Sequence, residues 1–363
     1  MCACNKKDTG QVAAIVVDDE SATLVEQEVF DKMFKRISVI PLETKSECLI
    51  SSIKKVVEKD GSIYVLSEAD GGQTSLYRFD DDGRFLNRIG EMGNAQKEYN
   101  RINSFFVIGD DVYLLDSNLQ KMLRCTREGK CTDAVSMGET LKFIRDAQVL
   151  EDNKTVLLSY GINFGEKHAL YRLVDIATGN ILWEQTTQYT ASGNIPHAIQ
   201  PVAVCGGNIL LTMPMDKCIY SLDTKNYSVD KMLDVECYGK LIVTETDDYI
   251  EAGRNLDGGS TVIKVFGSGN LIVMSFFSGS VVWDMEKKQG IRIDDGIDYS
   301  QCKTIPCVTQ FIVSSTGTWI TTCRNAQDLK ECLEEMGDTE IADVSVLPDS
   351  KDANPVLIRH YLK

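Results

Sequence analysis

Histidine and long apolar stretches are both scarce in this sequence. The chain has only three histidines for its twelve cysteines, and a catalytic cysteine requires a basic partner that turns the thiol into a thiolate. No apolar run approaches the roughly 18 residues that a membrane-spanning helix requires. The composition therefore argues against cysteine-based catalysis and against a transmembrane helix in the chain as given.

Positive charge is in deficit as well. Lys and Arg total 38 against 54 Asp and Glu, and the net charge is -16. This balance opposes binding to nucleic-acid phosphates and to anionic lipid surfaces, since both depend on Lys and Arg. We expect no nucleic-acid partner. The basic pairs Lys54–Lys55 and Lys287–Lys288 are interpreted as solvated surface charges.

The cysteines also lack the spacing of a metal site. No pair of Cys-x-x-Cys motifs occurs, which argues against structural zinc. The favoured interpretation of the cysteines is free thiols packed as small hydrophobes. Cys125 and Cys131 flank a turn and could face each other across a hairpin, and the sequence leaves open whether they form a disulfide.

What the sequence does contain is a repeated hairpin signal. Residues 60–66 combine a polar turn carrying Gly with alternating β-branched, aromatic and aliphatic residues, which indicates a turn feeding a half-buried strand. A second hairpin signal follows each copy, so each repeat predicts four strands. The other copies lie at 109–115, 152–158, 206–211, 267–273 and 315–320.

The spacing of the copies is close to the roughly 40 to 50 residues of a propeller blade. A four-stranded sheet cannot bury both faces alone, and radial closure also protects strand edges. We therefore predict an all-β fold, a six-bladed β-propeller of four-stranded antiparallel blades. A sandwich pair and a β-solenoid are the competitors, but neither accounts well for two hairpins in each repeat.

The predicted organisation is a flexible tether over residues 1–11 and a single propeller over 12–363. Segment 34–44 reads as a strand without a hairpin partner, so we expect it to complete the last blade and close the ring. Apolar residues at helical spacing predict a short amphipathic helix over 327–336. The predicted blades span about 50–90, 102–138, 143–186, 198–236, 260–294 and 307–363.

Three parts of the chain resemble a known family. They are segment 34–44 with 50–53, the loop 85–99 that ends in Glu98–Tyr99, and the closing stretch 354–357. These parts resemble the six-bladed β-propeller lipoproteins of gut Bacteroidetes, a group related in form to NHL-repeat propellers. That family usually has Gly-Pro-Gly-Glu-Tyr in the loop, of which this chain keeps only the Glu-Tyr end. The resemblance implies a propeller fold, export and a lipid anchor.

The polar N-terminal tail carries Cys2 and Cys4. It fits a mature lipoprotein terminus in which Cys2 or Cys4 is acylated, since a lipid anchor needs a flexible tether beyond it. We accordingly expect a cell-envelope protein on the periplasmic or cell-surface side of the outer membrane, attached to it only through this lipid. The alternative is a disordered cytoplasmic N-terminus with incidental cysteines.

The loops that cross between blades provide the candidate functional residues. Their chemistry is mixed and lacks the repeated carboxylate or His that a funnel metal would need. Two further histidines, His168 and His360, are expected to be structural, and residues 80–83 to form a hairpin turn rather than half a calcium loop. The crossing-loop candidates are Asp146, His197, Gln200, Glu251, Arg254 and Gln310.

We predict a monomeric, non-enzymatic binding or scaffold protein without a cofactor, which recognises a peptide, glycan or protein partner across the funnel face. Exposed aromatic and Arg side chains on loops of a rigid scaffold are the usual recognition elements. The alternative is a metal-dependent hydrolase or lyase that holds Ca²⁺ or Zn²⁺ in the funnel and acts on a sugar-acid or peptide derivative. The predicted contact residues are Tyr99, Arg101, Arg145, His197 and Arg254.

Overall fold

The chain folds into six β-sheets that are arranged as blades in a ring, so the predicted six-bladed β-propeller is confirmed. Among the described residues, no helix has the length and apolar character needed to cross a bilayer. The computed structural model describes residues 13–161, 169–186, 200–214, 216–237, 261–276, 279–294, 297–336, 347–348, 350 and 352–363.

The N-terminal segment forms three strands and a short helix before the first blade begins. These elements are β1 (Ile15–Val17), β2 (Ala22–Val25), α1 (Gln27–Asp31) and β3 (Phe34–Pro41). Blades 1 to 3 follow, and each consists of four antiparallel strands that are consecutive in sequence. Their strands are β4 (Ser52–Lys59), β5 (Ser62–Glu68), β6 (Thr74–Asp80), β7 (Phe85–Ile89); β8 (Ser104–Ile108), β9 (Asp111–Asp116), β10 (Lys121–Thr126), β11 (Cys131–Ser136); and β12 (Ile144–Val149), β13 (Thr155–Tyr160), β14 (Ala169–Asp175), β15 (Ile181–Thr186).

The second half of the ring repeats this plan. The strands of blades 4 and 5 are β16 (Val202–Cys205), β17 (Asn208–Thr212), β18 (Cys218–Asp223), β19 (Ser228–Val235); and β20 (Lys264–Ser268), β21 (Leu271–Phe276), β22 (Gly279–Asp284), β23 (Gln289–Asp294). Blade 6 contains β24 (Ile312–Ser315), β25 (Trp319–Arg324) and β26 (Val356–Leu362), with β3 as its outermost strand. The helical elements are α2 (Ala326–Met336) and 3₁₀ turns at Gly138–Leu141, Tyr299–Gln301 and Thr309–Phe311.

Apolar side chains of neighbouring blades pack against each other around the ring. Between blades 1 and 2, for example, Tyr64 and Leu66 of β5 share one buried cluster with Phe105 of β8 and Leu114 of β9. Truncating a buried aromatic such as Phe105 to Ala typically costs about 3 to 5 kcal/mol. The core of this protein therefore lies between its blades rather than inside any one of them.

The ring closes through β3, as the sequence predicts. Strand β3 pairs with β26 in antiparallel register, from Pro41 opposite Val356 to Phe34 opposite Leu362. A buried ion pair also joins the last blade to the first, because Arg359 Nε of β26 donates to Glu58 Oε2 of β4 over 2.5 Å. The Arg359 and Glu58 side chains are only 5% and 2% exposed.

The N-terminal segment does more than close the ring. Strand β1 pairs in parallel with β19, and β2 pairs in parallel with β23, so blades 4 and 5 each gain a fifth strand. We call residues 15–31, which contain β1, β2 and α1, the N-terminal strap. Its residues Val17, Ala22 and Phe30 are completely buried. The sequence pattern did not predict this pairing, because a strand of three or four residues has too few alternations to define a face.

Several local predictions are confirmed. Helix α2 buries Leu329, Leu333 and Met336 on one face, which matches the predicted amphipathic helix. His360 is buried and hydrogen-bonds Thr322 through Nε2 over 3.1 Å, as expected for a structural histidine. The Asp80 carboxylate accepts backbone N–H groups of the turn it begins. The other histidine with an expected structural role, His168, lies outside the described residues.

One cysteine pair differs from the favoured interpretation. Cys125 and Cys131 are direct partners across the β10–β11 hairpin and form a disulfide, with a Cα–Cα separation of 3.7 Å. For this pair, whose state the sequence left open, the favoured interpretation as free thiols does not hold, because hairpin register brings the two side chains onto one rung. Eight other cysteines within the described part of the chain are free.

Candidate functional site

A channel runs along the axis of the ring and encloses a cavity of about 780 Å³. The innermost strands of all six blades, β4, β8, β12, β16, β20 and β24, contribute to its wall. These strands run in the same direction, as the parallel bridge between Gln200 and Lys264 shows for blades 4 and 5. We call the end of the channel at which the innermost strands begin the leading mouth.

A hydrogen-bonded layer of side chains lies just inside the leading mouth. Lys55 Nζ on β4 donates to Asp146 Oδ1 on β12 over 2.6 Å and to Ser104 Oγ on β8 over 3.3 Å. Ser104 in turn donates to Asp146 Oδ1 over 2.8 Å. This layer ties the innermost strands of three blades together, and the Lys55 charge neutralises that of Asp146.

Lys264 occupies the matching position on blade 5. Counted from the hairpin turn that follows each innermost strand, Lys264 stands on the same rung of β20 as Lys55 on β4. Its ammonium group donates to the Gln310 carbonyl oxygen over 2.8 Å. Burial lowers the pKa of Lys264 from its ordinary value, because the charged form loses water there.

Two β-bulges direct further cations to the same end. The register shifts between Ile53 and Lys55 in β4 and between Ile144 and Asp146 in β12. The extra residue is Lys54 in the first bulge and Arg145 in the second, and both line the channel. Bulges re-aim side chains and are common beside functional sites. The two bulges therefore place Lys54 and Arg145 at equivalent positions on the leading mouth.

The residues predicted to contact a ligand lie in different environments in the structure. Arg145 is exposed and lines the channel. Arg101 lies next to the mouth and donates to Glu68 Oε1 over 2.6 Å, and Lys54 lies 3.3 Å from the second oxygen of the same carboxylate. The Glu68 carboxylate thus forms ion pairs with both Arg101 and Lys54.

Tyr99 is not where the sequence suggested. It is completely buried, and its hydroxyl accepts a hydrogen bond from Arg88 Nη2 over 2.8 Å. Its ring also packs close to Gly90, where an added Cβ would lie 3.2 Å from the ring. The expected exposure of Tyr99 is therefore wrong, and the side chain has a packing role between blades 1 and 2.

The remaining predicted residues can be placed only in part. Among the crossing-loop candidates, Asp146 is paired with Lys55, and Gln200 lines the channel. Within the described ranges, no three His, Cys, Asp or Glu side chains come together in a way that could hold a metal ion. His197, Glu251, Arg254 and the two anchor candidates Cys2 and Cys4 lie outside those ranges.

Sequence reasoning missed Lys54, Lys55 and Lys264. The pair Lys54–Lys55 was interpreted as solvated surface charge, but both residues belong to the channel wall. A signal was available, because Lys55 and Lys264 stand at the same distance before a hairpin turn in two repeats. Alignment of the repeats by their turns, rather than by their apolar residues, would have brought these lysines together.

These features define a class of protein, a six-bladed β-propeller with a polar axial channel. Within that class, the chain belongs to the family described as "Domain of unknown function (DUF4934)", whose sequence profile matches residues 15–361. No protein with a curated description matches this sequence.

Solved structures from Bacteroides share the fold. A protein of Bacteroides fragilis described as exported superposes with a TM-score of 0.70 at 16% identity, over 97% of this chain and 100% of its own. A member of the DUF4221 family from Bacteroides vulgatus superposes with a TM-score of 0.54 at 11% identity, over 90% of this chain and 96% of its own. At these identities the similarity establishes the fold alone.

Proposed function

We propose that this protein is an exported, non-enzymatic binding protein of the cell envelope, whose axial channel receives a peptide, a glycan or a segment of a protein partner. The axial channel itself carries the proposal. Its volume of about 780 Å³ lies within the range of about 300 to 1,000 Å³ that is usual for ligand sites. Its wall is built from strands held rigidly by the ring, which favours preorganised recognition.

Two observations support export. The similar protein from Bacteroides fragilis is described as exported, and the Cys125–Cys131 disulfide is of a kind that persists in oxidising compartments. Acylation of Cys2 or Cys4 would then hold the propeller at a membrane through its N-terminal tail.

The channel function can be tested by native mass spectrometry. Purified protein is mixed with fractions of culture medium and envelope extract, and the bound mass is recorded. We expect a discrete added mass on the unmodified protein and its loss in Gln148→Trp, since Gln148 lines the channel. Gln96→Trp is the matched control, because Gln96 is exposed and lies outside the channel wall. A ligand that both variants retain equally would contradict the proposal, and so would the absence of any bound ligand on the unmodified protein.

The anchor is tested separately by labelling cells with a radioactive fatty acid while they produce the protein from its natural gene. Label should be lost in Cys2→Ser or in Cys4→Ser and retained in Cys302→Ser, which removes a free cysteine of the propeller. An unlabelled protein would rule out the lipid anchor without affecting the channel proposal.

A further inference from the structure

Among the described residues of the leading mouth, the cationic side chains outnumber the carboxylates that pair with them. Lys55 is balanced by Asp146, whereas Lys54 and Arg101 share the single carboxylate of Glu68. Among the described residues of the wall, the other acidic residue is Glu58, which is paired with Arg359.

Arg145 and Lys264 make the imbalance larger. In the described part of the chain, neither side chain has an ion pair with a carboxylate. The Lys264 ammonium donates a hydrogen bond to the Gln310 carbonyl oxygen. This surplus lies in the channel of a chain whose net charge is -16. The described residues of the mouth therefore carry positive charge against the overall sign of the protein, as in clefts that focus charge of one sign toward a ligand.

The arrangement suits a ligand that spans part of the ring. Lys55, Arg145 and Lys264 stand on blades 1, 3 and 5, which alternate around the axis. Gln200 lines the same mouth on blade 4, between Arg145 and Lys264. A planar guanidinium pairs with a carboxylate through two parallel hydrogen bonds, and an ammonium adds a point charge.

Resting on the proposed binding function, we propose that the leading mouth binds a small carboxylate-bearing ligand, whose carboxylates pair with Arg145 and Lys264. Lys54 and Arg101, which share Glu68 beside the leading mouth, add long-range attraction for the negatively charged ligand. The half-buried ammonium of Lys264 gains a countercharge when the ligand binds, which offsets the cost of keeping it charged inside the wall.

Isothermal titration calorimetry at low ionic strength tests this inference with trigalacturonate, citrate and neutral galactotriose. We expect at least one carboxylated probe to bind the unmodified protein and galactotriose to give no heat. Trigalacturonate and citrate distinguish an acidic saccharide from a free small acid. Added salt should weaken the binding, because the contacts are between charges near the surface.

Variants locate the site. Arg145→Gln and Lys264→Gln should each weaken binding about tenfold or more. Lys264→Arg keeps the positive charge and should retain most of the affinity of the unmodified protein. Arg84→Gln and Lys225→Gln are matched controls, since both remove an exposed charge outside the channel wall and should leave affinity unchanged. Thermal melting of each variant checks that it is folded.

Three results would overturn the inference. They are binding of galactotriose as tight as that of trigalacturonate, equal losses in the channel and control variants, and no heat from either carboxylate at millimolar concentration. A neutral ligand captured from extracts and lost in Gln148→Trp would instead uphold the binding function while rejecting the carboxylate.

Discussion

At the scale of single residues, Asp31 shows how burial changes the chemistry of a carboxylate. Asp31 lies at the end of α1, and its Oδ1 accepts hydrogen bonds from the Cys307 backbone N–H and from Gln27 Nε2, both over 2.9 Å. Burial raises the pKa of Asp31 to about 6, although these two hydrogen bonds oppose the shift. The residue connects the N-terminal strap to the loop before blade 6.

This raised pKa predicts a pH-dependent contribution to stability. Between the ordinary value of 3.8 and about 6, the folded state keeps the Asp31 proton while the unfolded state has released it. The stabilisation is therefore fully present below the lower value and is lost as the pH rises through the upper one. Asp31→Asn keeps the acceptor oxygen but cannot ionise, so it should gain about 2 to 3 kcal/mol relative to the unmodified protein between pH 4 and pH 7.

Urea unfolding at a series of pH values measures this difference. Asp82→Asn removes a carboxylate that is 76% exposed, and it controls for the general effect of losing an acidic residue. A difference between Asp31→Asn and the unmodified protein that stays constant with pH would show that Asp31 ionises equally in both states.

At the scale of the structural element, the outer hairpin turn of a blade packs onto the preceding blade. An added Cβ at Gly129, in the β10–β11 turn, would lie 2.2 Å from the Arg88 carbonyl oxygen of β7. The Gly129 carbonyl oxygen also accepts from the Gly90 backbone N–H over 2.9 Å. Gly83 repeats the arrangement against Pro41 of β3. The turn glycines thus permit close contact between successive blades.

Gly129→Ala should therefore cost more than backbone strain alone. Gly109, in the inner β8–β9 hairpin of the same blade, also has a positive φ, but an added Cβ there meets nothing within 4 Å. We expect Gly109→Ala to cost about 1 to 2 kcal/mol from strain and Gly129→Ala about 1 to 3 kcal/mol more from the clash. Chemical denaturation of the two variants gives the comparison, and equal losses would mean that the turn does not constrain the interface.

At the scale of the whole molecule, the ring is held shut by both the β3–β26 pairing and the contacts of Arg359. Besides Glu58, Arg359 donates to Asp81 over 2.7 Å and lies 5.2 Å from the centre of the Trp319 ring. Trp319 and Thr321 also donate to the Glu58 carboxylate. Side chains of the first and last blades thus form one polar network, which is buried at Arg359 and Glu58 and reaches the surface at Asp81.

Arg359→Met should destabilise the protein by about 3 to 5 kcal/mol, because it leaves Glu58 charged and buried without its partner. Arg124→Met is the matched control. Arg124 pairs with Asp111 on the surface with 51% of its side chain exposed, so its loss should cost no more than about 1 kcal/mol. Equilibrium unfolding in urea measures both, and similar costs for the two variants would show that the buried pair adds nothing to closure.

The architecture of the ring could be predicted from the sequence alone. Turn chemistry, strand alternation and a spacing near that of propeller blades are properties of short segments, so the six repeats and the orphan strand at 34–44 led to a closed ring without knowledge of any contact. Helix α2 and the turn at Asp80 were predictable for the same reason.

The candidate site depends on contacts between strands of different blades. Lys55 on blade 1 contacts Asp146 on blade 3. Lys264 comes from blade 5, and a β-bulge directs Arg145 to the channel. Tyr99 is buried because the next blade covers it, and the strap strands β1 and β2 exist only on the edges of β19 and β23. These placements depend on strand register and on packing between residues far apart in sequence, which the local pattern of one strand does not specify.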